Sequence, residues 1–362
     1  MIKLRNKKLI SKFVAIGVVM FALMAFNWDR TEMEDRAFVV TIGIDKGEDA
    51  PFEVTMSILD AETMEGGEEA PRVLRHATGD CPASAMGQIG ATISRSVYFG
   101  HTKAIIIGKG VLNDADKMQK TVDALSRNND INMRTVVMAT DKRAAEIMEA
   151  KPEAHQMLGI YLAGFYSKAN TNAAALVVKA DLEQLAADFR NSGTTIIPKV
   201  TLEGEGDDAE IKIGGVALLK NQSLAGFIDE EQMAGYLWIK ENAQGLQLTA
   251  DSATIKIERS KPKIRFIEEN GRLICNIKVD VTARLEAGRN SEEAARNFEL
   301  KIKSEMQETF RVFQKKYTAD GFGLQEILRK HHPNLYKKYA KNWDRTFAQM
   351  RFTTDIELKI RH

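Results

Sequence analysis

Cysteine, proline and catalytic motifs are all scarce in this chain. Only Cys81 and Cys275 occur among 362 residues, which is too few for a disulfide scaffold, and neither has a partner at Cys-x-x-Cys spacing. The 7 prolines and the 44% hydrophobic content argue against long disordered stretches. We therefore expect a globular chain in which both cysteines are buried, free thiols.

Patterns that mark catalytic or metal-binding sites are also missing. The chain has no GxxxxGK[ST] loop, no HExxH pair and no GxSxG elbow. Gly204-x-Gly206 lies in an acidic loop rather than at a strand-to-helix turn. His331 and His332 are adjacent, so on a helix they point about 100° apart and cannot readily share a metal. The sequence predicts no catalytic, cofactor-binding or metal-binding residues.

Charge of one sign is not concentrated in the body of the chain. The formal net charge is +1, but residues 1–12 hold five cations and no acids. The rest of the chain therefore carries 46 cations against 50 acids. Because nucleic-acid binding requires a concentrated basic face, we do not expect a nucleic-acid partner.

The first 28 residues read as a membrane anchor. Five cations precede the fourteen residues from Phe13 to Phe26, none of which has a polar side chain. A spanning helix needs about 20 apolar residues. Leu9 and Ile10 lengthen the run if Lys12 reaches the interface, where Trp28 also fits. We predict a signal anchor at 1–28 with the body outside the cytoplasm. Cleavage is left open, although bulky residues make the cleavage pattern poor.

Residues 29–193 are expected to form an N-terminal α/β domain. Residues 37–60 are typical of a β-hairpin, and strands alternate with helices across 72–150. Residues 153–190 have a mainly helical pattern, and Gly193 is expected to end the last helix. The composition becomes Gly-rich and acidic near residues 191–215, where we place a domain boundary. A middle domain at 194–250 then begins, with a hairpin about Asn221 and a helix capped by Asp229.

The strongest periodicities lie in the predicted C-terminal α+β domain, 251–362. Odd positions from Leu273 to Leu285, including Cys275, are apolar, which predicts a strand with one buried face. Asn270-Gly271 predicts a hairpin turn before it. A long amphipathic helix is predicted at 290–317, capped by Asn290. Its apolar stripe consists of Ala295, Phe298, Ile302, Met306, Phe310, Phe313 and Tyr317.

The pentapeptide NWDRT occurs twice, at residues 27–31 and 342–346. Each copy precedes an alternating strand, and the flanking sequences otherwise diverge. We interpret both as helical turns anchored by Trp28 or Trp343, with Asp29 and Asp344 as caps. A duplicated binding site is the less favoured alternative.

Four stretches resemble the Ger(x)C family, the C subunits of spore germinant receptors. They are NWDRTEMEDRAFVVTIGIDKGED, SRSVYFGHTKAIIIGKGV with Phe99, Gly100 and His101, GGVALLKNQSLAGFIDEEQMAGYLWIKE, and KKYTADGFGLQEILRKHHPNLYKKYAKNWDRTF. They occur in family order over most of residues 27–361. One departure matters. Family members usually carry a lipid-bearing Cys directly before the Trp, but here that position is Asn27. No thiol is available for lipidation there, so the apolar segment must supply the anchor.

The resemblance implies a three-domain mixed α/β protein of the α+β class. Its mixed and antiparallel sheets would be packed by helices, with an N-terminal membrane helix added. It further implies a non-enzymatic receptor subunit on the outer face of the spore inner membrane, needed for germination. Its partners would be a multi-spanning A subunit and a transporter-like B subunit, with no cofactor and no direct small-molecule substrate. Two alternatives remain: a membrane-tethered extracytoplasmic protein with a solute-binding or enzymatic site, and a purely structural scaffold.

Overall fold

The computed structural model describes residues 35–59, 72–150, 157–166, 178–204, 209–240, 243–250, 253–289 and 291–361. The predicted signal anchor and the first NWDRT copy lie outside these residues. Within the described ranges, no helix has both the length and the apolar character that a membrane span requires.

The first half of the chain builds most of a large mixed sheet. Its strands are β1 (Arg36–Asp45), β2 (Phe52–Leu59), β3 (Arg72–Gly79), β4 (Ser96–Tyr98), β5 (Ala104–Ile107) and β6 (Val136–Ala139). β1 and β2 form the predicted antiparallel hairpin, and β3 pairs antiparallel with β2. β5 and β6 continue the sheet in parallel with β1. Four-residue strands that are buried throughout fit the parallel centre of an α/β sheet, because helices cover both faces there.

Helices cover both faces of this sheet. They are α1 (Pro82–Ala91), α2 (Lys109–Leu112), α3 (Ala115–Arg127), α4 (Ala144–Glu149), α5 (Leu158–Gly164) and α6 (Leu182–Asn191). α1, α3 and α6 contribute to the core on one face, and α4 and α5 to the core on the other. Asp114 and Asp181 cap α3 and α6 by accepting from the backbone N–H three residues on. The segment DKRAAEIMEA predicts a helix that starts at Asp141, and this start is wrong, since α4 begins at Ala144.

Residues 194–250 extend the sheet and then turn towards the C-terminal half. β7 (Thr195–Glu203), β8 (Glu210–Lys220) and β9 (Ser223–Ile228) form an antiparallel meander. β7 joins β6 in parallel at one pair, Ala139 and Lys199. The hairpin about Asn221 is confirmed, with a positive φ of 51° at that residue. α7 (Glu230–Met233), capped by Asp229 as predicted, and α8 (Tyr236–Ile239) follow.

A second sheet of four strands occupies the C-terminal half. Its order is β10 (Gln247–Ala250), β11 (Ala253–Glu269), β12 (Arg272–Ala287) and β13 (Arg351–Arg361). The predicted hairpin at Asn270-Gly271 joins β11 to β12, and both turn residues have positive φ. β13 pairs parallel with β12. Along β12 the predicted inward side chains from Leu273 to Ala283 are buried, with Cys275 at 0% exposure.

Helices pack against one face of this second sheet. α9 (Glu292–Arg311) is followed by a π-helical turn (Val312–Tyr317), α10 (Leu324–His331), α11 (Pro333–Tyr339), a 3-10 turn (Ala340–Asn342) and α12 (Trp343–Gln349). Five members of the predicted stripe are buried, from Phe298 to Phe313. Two details of the prediction are wrong. Ser291, rather than Asn290, caps α9, and the α-helix ends at Arg311.

The π-helical turn has a packing explanation. Val312, Phe313 and Gln314 are buried in succession, which one face of a regular α-helix cannot achieve. The Gln314 side-chain amide donates to the carbonyl oxygens of Phe347 at 2.7 Å and Met350 at 2.6 Å. The widened turn therefore holds the end of α12 in place.

The middle segment reaches into both cores. Ala217 and Leu219 of β8 lie in a core of the large sheet, whereas Val216 and Leu218 lie in the C-terminal core. At Gly235 a Cβ would overlap the Glu305 carbonyl of α9, so this close approach requires glycine. The division into 29–193, 194–250 and 251–362 stays a prediction.

The second NWDRT copy begins α12 and leads into β13, as predicted. Trp343 is buried, at 9% exposure. The predicted cap is wrong: the Asn342 side chain accepts from the Arg345 N–H at 3.3 Å, while Asp344 pairs with Lys220 at 2.7 Å.

Candidate functional site: a polar cleft where the two halves meet

A cleft of about 950 Å³ opens between α6, the β8–β9 turn and the C-terminal helices. Its walls include the end of α6, the residue that follows α8, the loop before α10, and the start of α12. These segments are distant in sequence, and the contact between the two halves brings them together. Charged side chains line much of the cleft, among them Asp188, Arg190, Lys240, Asp320, Glu326 and Asp344.

Asp320 ties three segments of the cleft wall together. Its Oδ1 accepts from the Leu324 N–H at 3.0 Å, and its Oδ2 accepts from the Gln325 N–H at 2.8 Å. Oδ2 also accepts from Trp343 Nε1 at 3.0 Å. Burial raises the pKa of this carboxyl group, and the three donors oppose that rise. Asp320 thus caps the start of α10 and fixes the Trp343 ring.

Lys240 follows α8 and places a cation in the cleft. Its side chain is accessible to solvent, yet protein surrounds it, and its Nζ donates to the Phe322 carbonyl at 3.1 Å. Desolvation lowers the pKa of Lys240, and Asp320 and Asp188 partly offset this. Tyr236, one turn earlier, donates from its hydroxyl to the Gly321 carbonyl at 3.3 Å. The Tyr236 ring stacks on Phe322 with centroids 5.4 Å apart.

Asp188 supplies a second carboxylate on the α6 side. Thr195 Oγ1 donates to its Oδ2 at 2.6 Å, and Gln184 Nε2 donates to its Oδ1 at 2.7 Å. Burial raises the pKa of Asp188, against those two hydrogen bonds. The carboxylate therefore locks α6 to the start of β7, with both oxygens already engaged.

Direct contacts hold the two halves together beside the cleft. Lys220 Nζ donates to the Thr318 carbonyl at 2.7 Å, and the Tyr317 hydroxyl donates to the Phe227 carbonyl at 3.1 Å. The Tyr317 ring packs so closely on Gly226 that a Cβ there would lie 2.5 Å from it. These contacts join the β8–β9 hairpin to the end of the π-helical turn.

Residues singled out from sequence lie mostly elsewhere. His331 is exposed, and the His332 ring lies edge-on to Phe266 with centroids 5.7 Å apart. Cys81 is the N-cap residue of α1 and is only half-buried, so the expected burial is wrong for it. Both cysteines are free. The described part of the chain contains no cluster of three His, Cys, Asp or Glu side chains suited to a metal.

The second resemblance stretch forms a small aromatic group beside the start of β1. The His101 ring lies 5.1 Å from Phe38 and 5.8 Å from Tyr98, centroid to centroid. The Arg36 guanidinium sits 4.8 Å above the Tyr98 ring. Gly100 fits this arrangement because a Cβ there would overlap Tyr98.

Sequence reasoning missed Asp320 and Lys240. Asp320-Gly321 has the composition of a turn, and Asp before a helix is a common cap, so that role had a signal. The sequence signal for Lys240 is weaker, because it is only a lone cation after the apolar run Tyr236–Ile239. No spacing in the sequence indicates that the two share a cleft.

Comparison with known proteins decides the family. Residues 29–202 match the family model described as the spore germination protein N-terminal domain. Residues 214–362 match the model described as spore germination B3/GerAC like, C-terminal. The chain belongs to the Ger(x)C family of spore germination proteins. Family membership supports a role in germination.

Similar family members cover nearly the whole chain. Spore germination protein B3 of Bacillus subtilis (strain 168) is 23% identical over 98% of this chain and 98% of its own length. Spore germination protein A3 of the same organism is 22% identical over 89% of each chain. The crystal structure of the GerBC protein matches with a TM-score of 0.60 and 20% identity, over 89% of this chain and 97% of that one. That likeness confirms a shared mixed α+β fold.

Proposed function

We propose that this Ger(x)C protein is the non-enzymatic C subunit of a nutrient germinant receptor, exposed on the outer face of the spore inner membrane. The main support is the match of both family domains, in order, across residues 29–202 and 214–362. Its partners would be the A and B subunits of the same receptor. The basic, then apolar, N-terminal sequence supports tethering by residues 1–28.

The hydrogen bonds that two half-buried carboxylates make within the protein support a non-enzymatic role. Asp320 and Asp188 each use both oxygens to accept hydrogen bonds that hold segments together. A carboxylate has about four lone-pair sites, of which Asp320 uses three and Asp188 uses two for these hydrogen bonds. These two acids therefore act as structural links.

Loss of the gene tests this proposal. Spores that lack the chain should fail to germinate with the receptor's nutrient, yet still germinate through other routes. Reintroducing the wild-type chain should restore the response. Normal nutrient germination without the chain would contradict the proposal.

A solute-binding role is the second candidate, and the cleft favours it. A binding protein needs a concave pocket with convergent polar groups, whereas an assembly subunit should expose a sizeable apolar patch. Large exposed hydrophobic side chains in the described residues are Ile160, Ile267 and Leu300, on three separate elements. The polar cleft meets the first criterion, whereas these three side chains give no support to the second.

A further inference from the structure

The acids and cations of the cleft differ in how fully they are paired. Asp188 and Asp320 have both oxygens engaged, as described above. Glu326 accepts from Arg329 at 2.6 Å and 2.7 Å, and Asp344 pairs with Lys220 at 2.7 Å. The charges of Glu326 and Asp344 are thus paired with cations, whereas Asp188 and Asp320 accept only from neutral donors and still act on Lys240.

Three cations of the cleft have no such partner. In the described ranges, no Asp or Glu oxygen lies within ion-pair distance of Arg190, Lys240 or Lys341. Lys240 Nζ uses one proton for the Phe322 carbonyl, and an ammonium group has three. Cations that have no ion-pair partner and line a concave site attract anions, and around Lys240 the nearby Asp320 and Asp188 partly oppose this attraction.

The neutral hydrogen-bond donors and the volume of the cleft also fit a small ligand. The amide side chains of Asn191, Asn221 and Gln325 line the same space, and each can donate to an anion. The volume of about 950 Å³ falls within the range of about 300–1,000 Å³ typical of small-molecule sites. Tyr236 and Trp343 are held rigidly by their hydrogen bonds, so part of the wall is preformed.

We propose that this cleft binds a small polar anion carrying a carboxylate or phosphate group, with Lys240 and Arg190 as its charge-pairing donors. The cations supply the attraction, and the amides orient the bound group. This differs from the sequence expectation of no small-molecule ligand. It goes beyond the receptor-subunit role and does not depend on it, because binding is measured on the purified chain.

The test uses the full chain purified in detergent. Succinate and inorganic phosphate are titrated at constant ionic strength by isothermal titration calorimetry. We expect saturable one-to-one binding of at least one probe. Loss of a charge-assisted hydrogen bond should weaken it about tenfold or more in Lys240→Gln and Arg190→Gln. Lys303→Gln removes the same charge from an exposed site on α9 outside the cleft and should bind as the wild type does.

Each alternative result overturns the inference. No saturable binding of either probe would exclude an anion site in the cleft. Unchanged binding in both cleft variants would place any anion site outside the cleft. An equal loss of affinity in Lys303→Gln would show that only the net charge of the protein matters. If Lys240→Gln fails to fold, as judged by its thermal unfolding, Arg190→Gln decides, since Arg190 is exposed at the end of α6.

Discussion

Lys240 and Asp320 show how burial acts in opposite directions on an acid and a base. Desolvation raises the pKa of Asp320 and lowers that of Lys240, because in both cases the charged form loses hydration. Asp320 recovers part of that loss from three hydrogen-bond donors. Lys240 has one protein acceptor, the Phe322 carbonyl, and its side chain remains accessible to solvent.

Lys240 should therefore lose its proton at a lower pH than a lysine in the unfolded chain does. Competitive labelling with an amine-reactive reagent across a pH series, read by mass spectrometry, measures this site by site. We expect Lys240 in the folded protein to reach half-maximal reactivity at a lower pH than the same lysine does in the urea-unfolded chain, because only a neutral amine reacts. If Lys240 titrates at the same pH in both states, its lowered pKa is wrong.

The two cysteines should also separate by reactivity. Cys275 is fully buried, and burial raises its pKa. Cys81 is half-buried at the start of α1, where hydrogen bonds from Ser84 lower its pKa. Iodoacetamide should label Cys81 in the native protein, and Cys275 only after denaturation. Rapid native labelling of Cys275 would contradict the placement of β12.

At the element scale, Asp45 at the end of β1 determines where α4 begins. Its Oδ1 accepts from the Ala144 N–H at 2.8 Å and its Oδ2 from the Ala145 N–H at 2.9 Å. Gly108 packs against the same carboxylate, and a Cβ there would overlap Oδ1. The Gly-x-Asp ending of β1 and the glycine after β5 therefore act together, although 63 residues separate Asp45 from Gly108.

Replacing this remote cap should destabilise the N-terminal half. Asp45→Ala removes two acceptors from the first turn of α4, which typically costs about 0.5–2 kcal/mol. Urea unfolding should show a lower midpoint with little change in slope. Asp49→Ala is the matched control, since Asp49 is exposed on the nearby turn. Equal urea midpoints for Asp45→Ala and the wild type would contradict the capping role of Asp45.

Elements with long periodic patterns were the ones that the sequence predicted well. β12 and α9 bury one face over many residues, so period two and period 3.6 are both visible in their sequences. The start of α4 was misplaced because its cap comes from Asp45, far away in sequence. The sequence does not predict the π-helical turn, because its buried residues are held by contacts with α12, which is distant in sequence.

At the scale of the whole molecule, the cleft could not be predicted from local patterns. Asp188, Lys240, Asp320 and Trp343 come from four segments that meet only through tertiary packing. Family resemblance predicted the fold class and the role in germination, because those follow from motifs in order along the chain. It carried no information about which polar groups converge.

Trp343 links this tertiary arrangement to stability. Trp343→Ala removes a buried aromatic side chain and takes one donor from Asp320, which typically costs about 3–5 kcal/mol. We expect the amount of folded protein in spores and the germination response to fall together. His331→Ala is the control, because an exposed substitution usually changes stability by less than about 0.5 kcal/mol. Abundant, folded Trp343→Ala protein with a normal response would contradict this.

The central claim is that the chain works as a subunit of a membrane receptor. The most direct test purifies the tagged full-length chain from detergent-solubilised spore membranes and identifies its partners by mass spectrometry. We expect a multi-spanning A subunit and a transporter-like B subunit to be recovered with the chain in a fixed ratio. Recovery of the chain alone, from spores whose nutrient germination depends on it, would contradict the account.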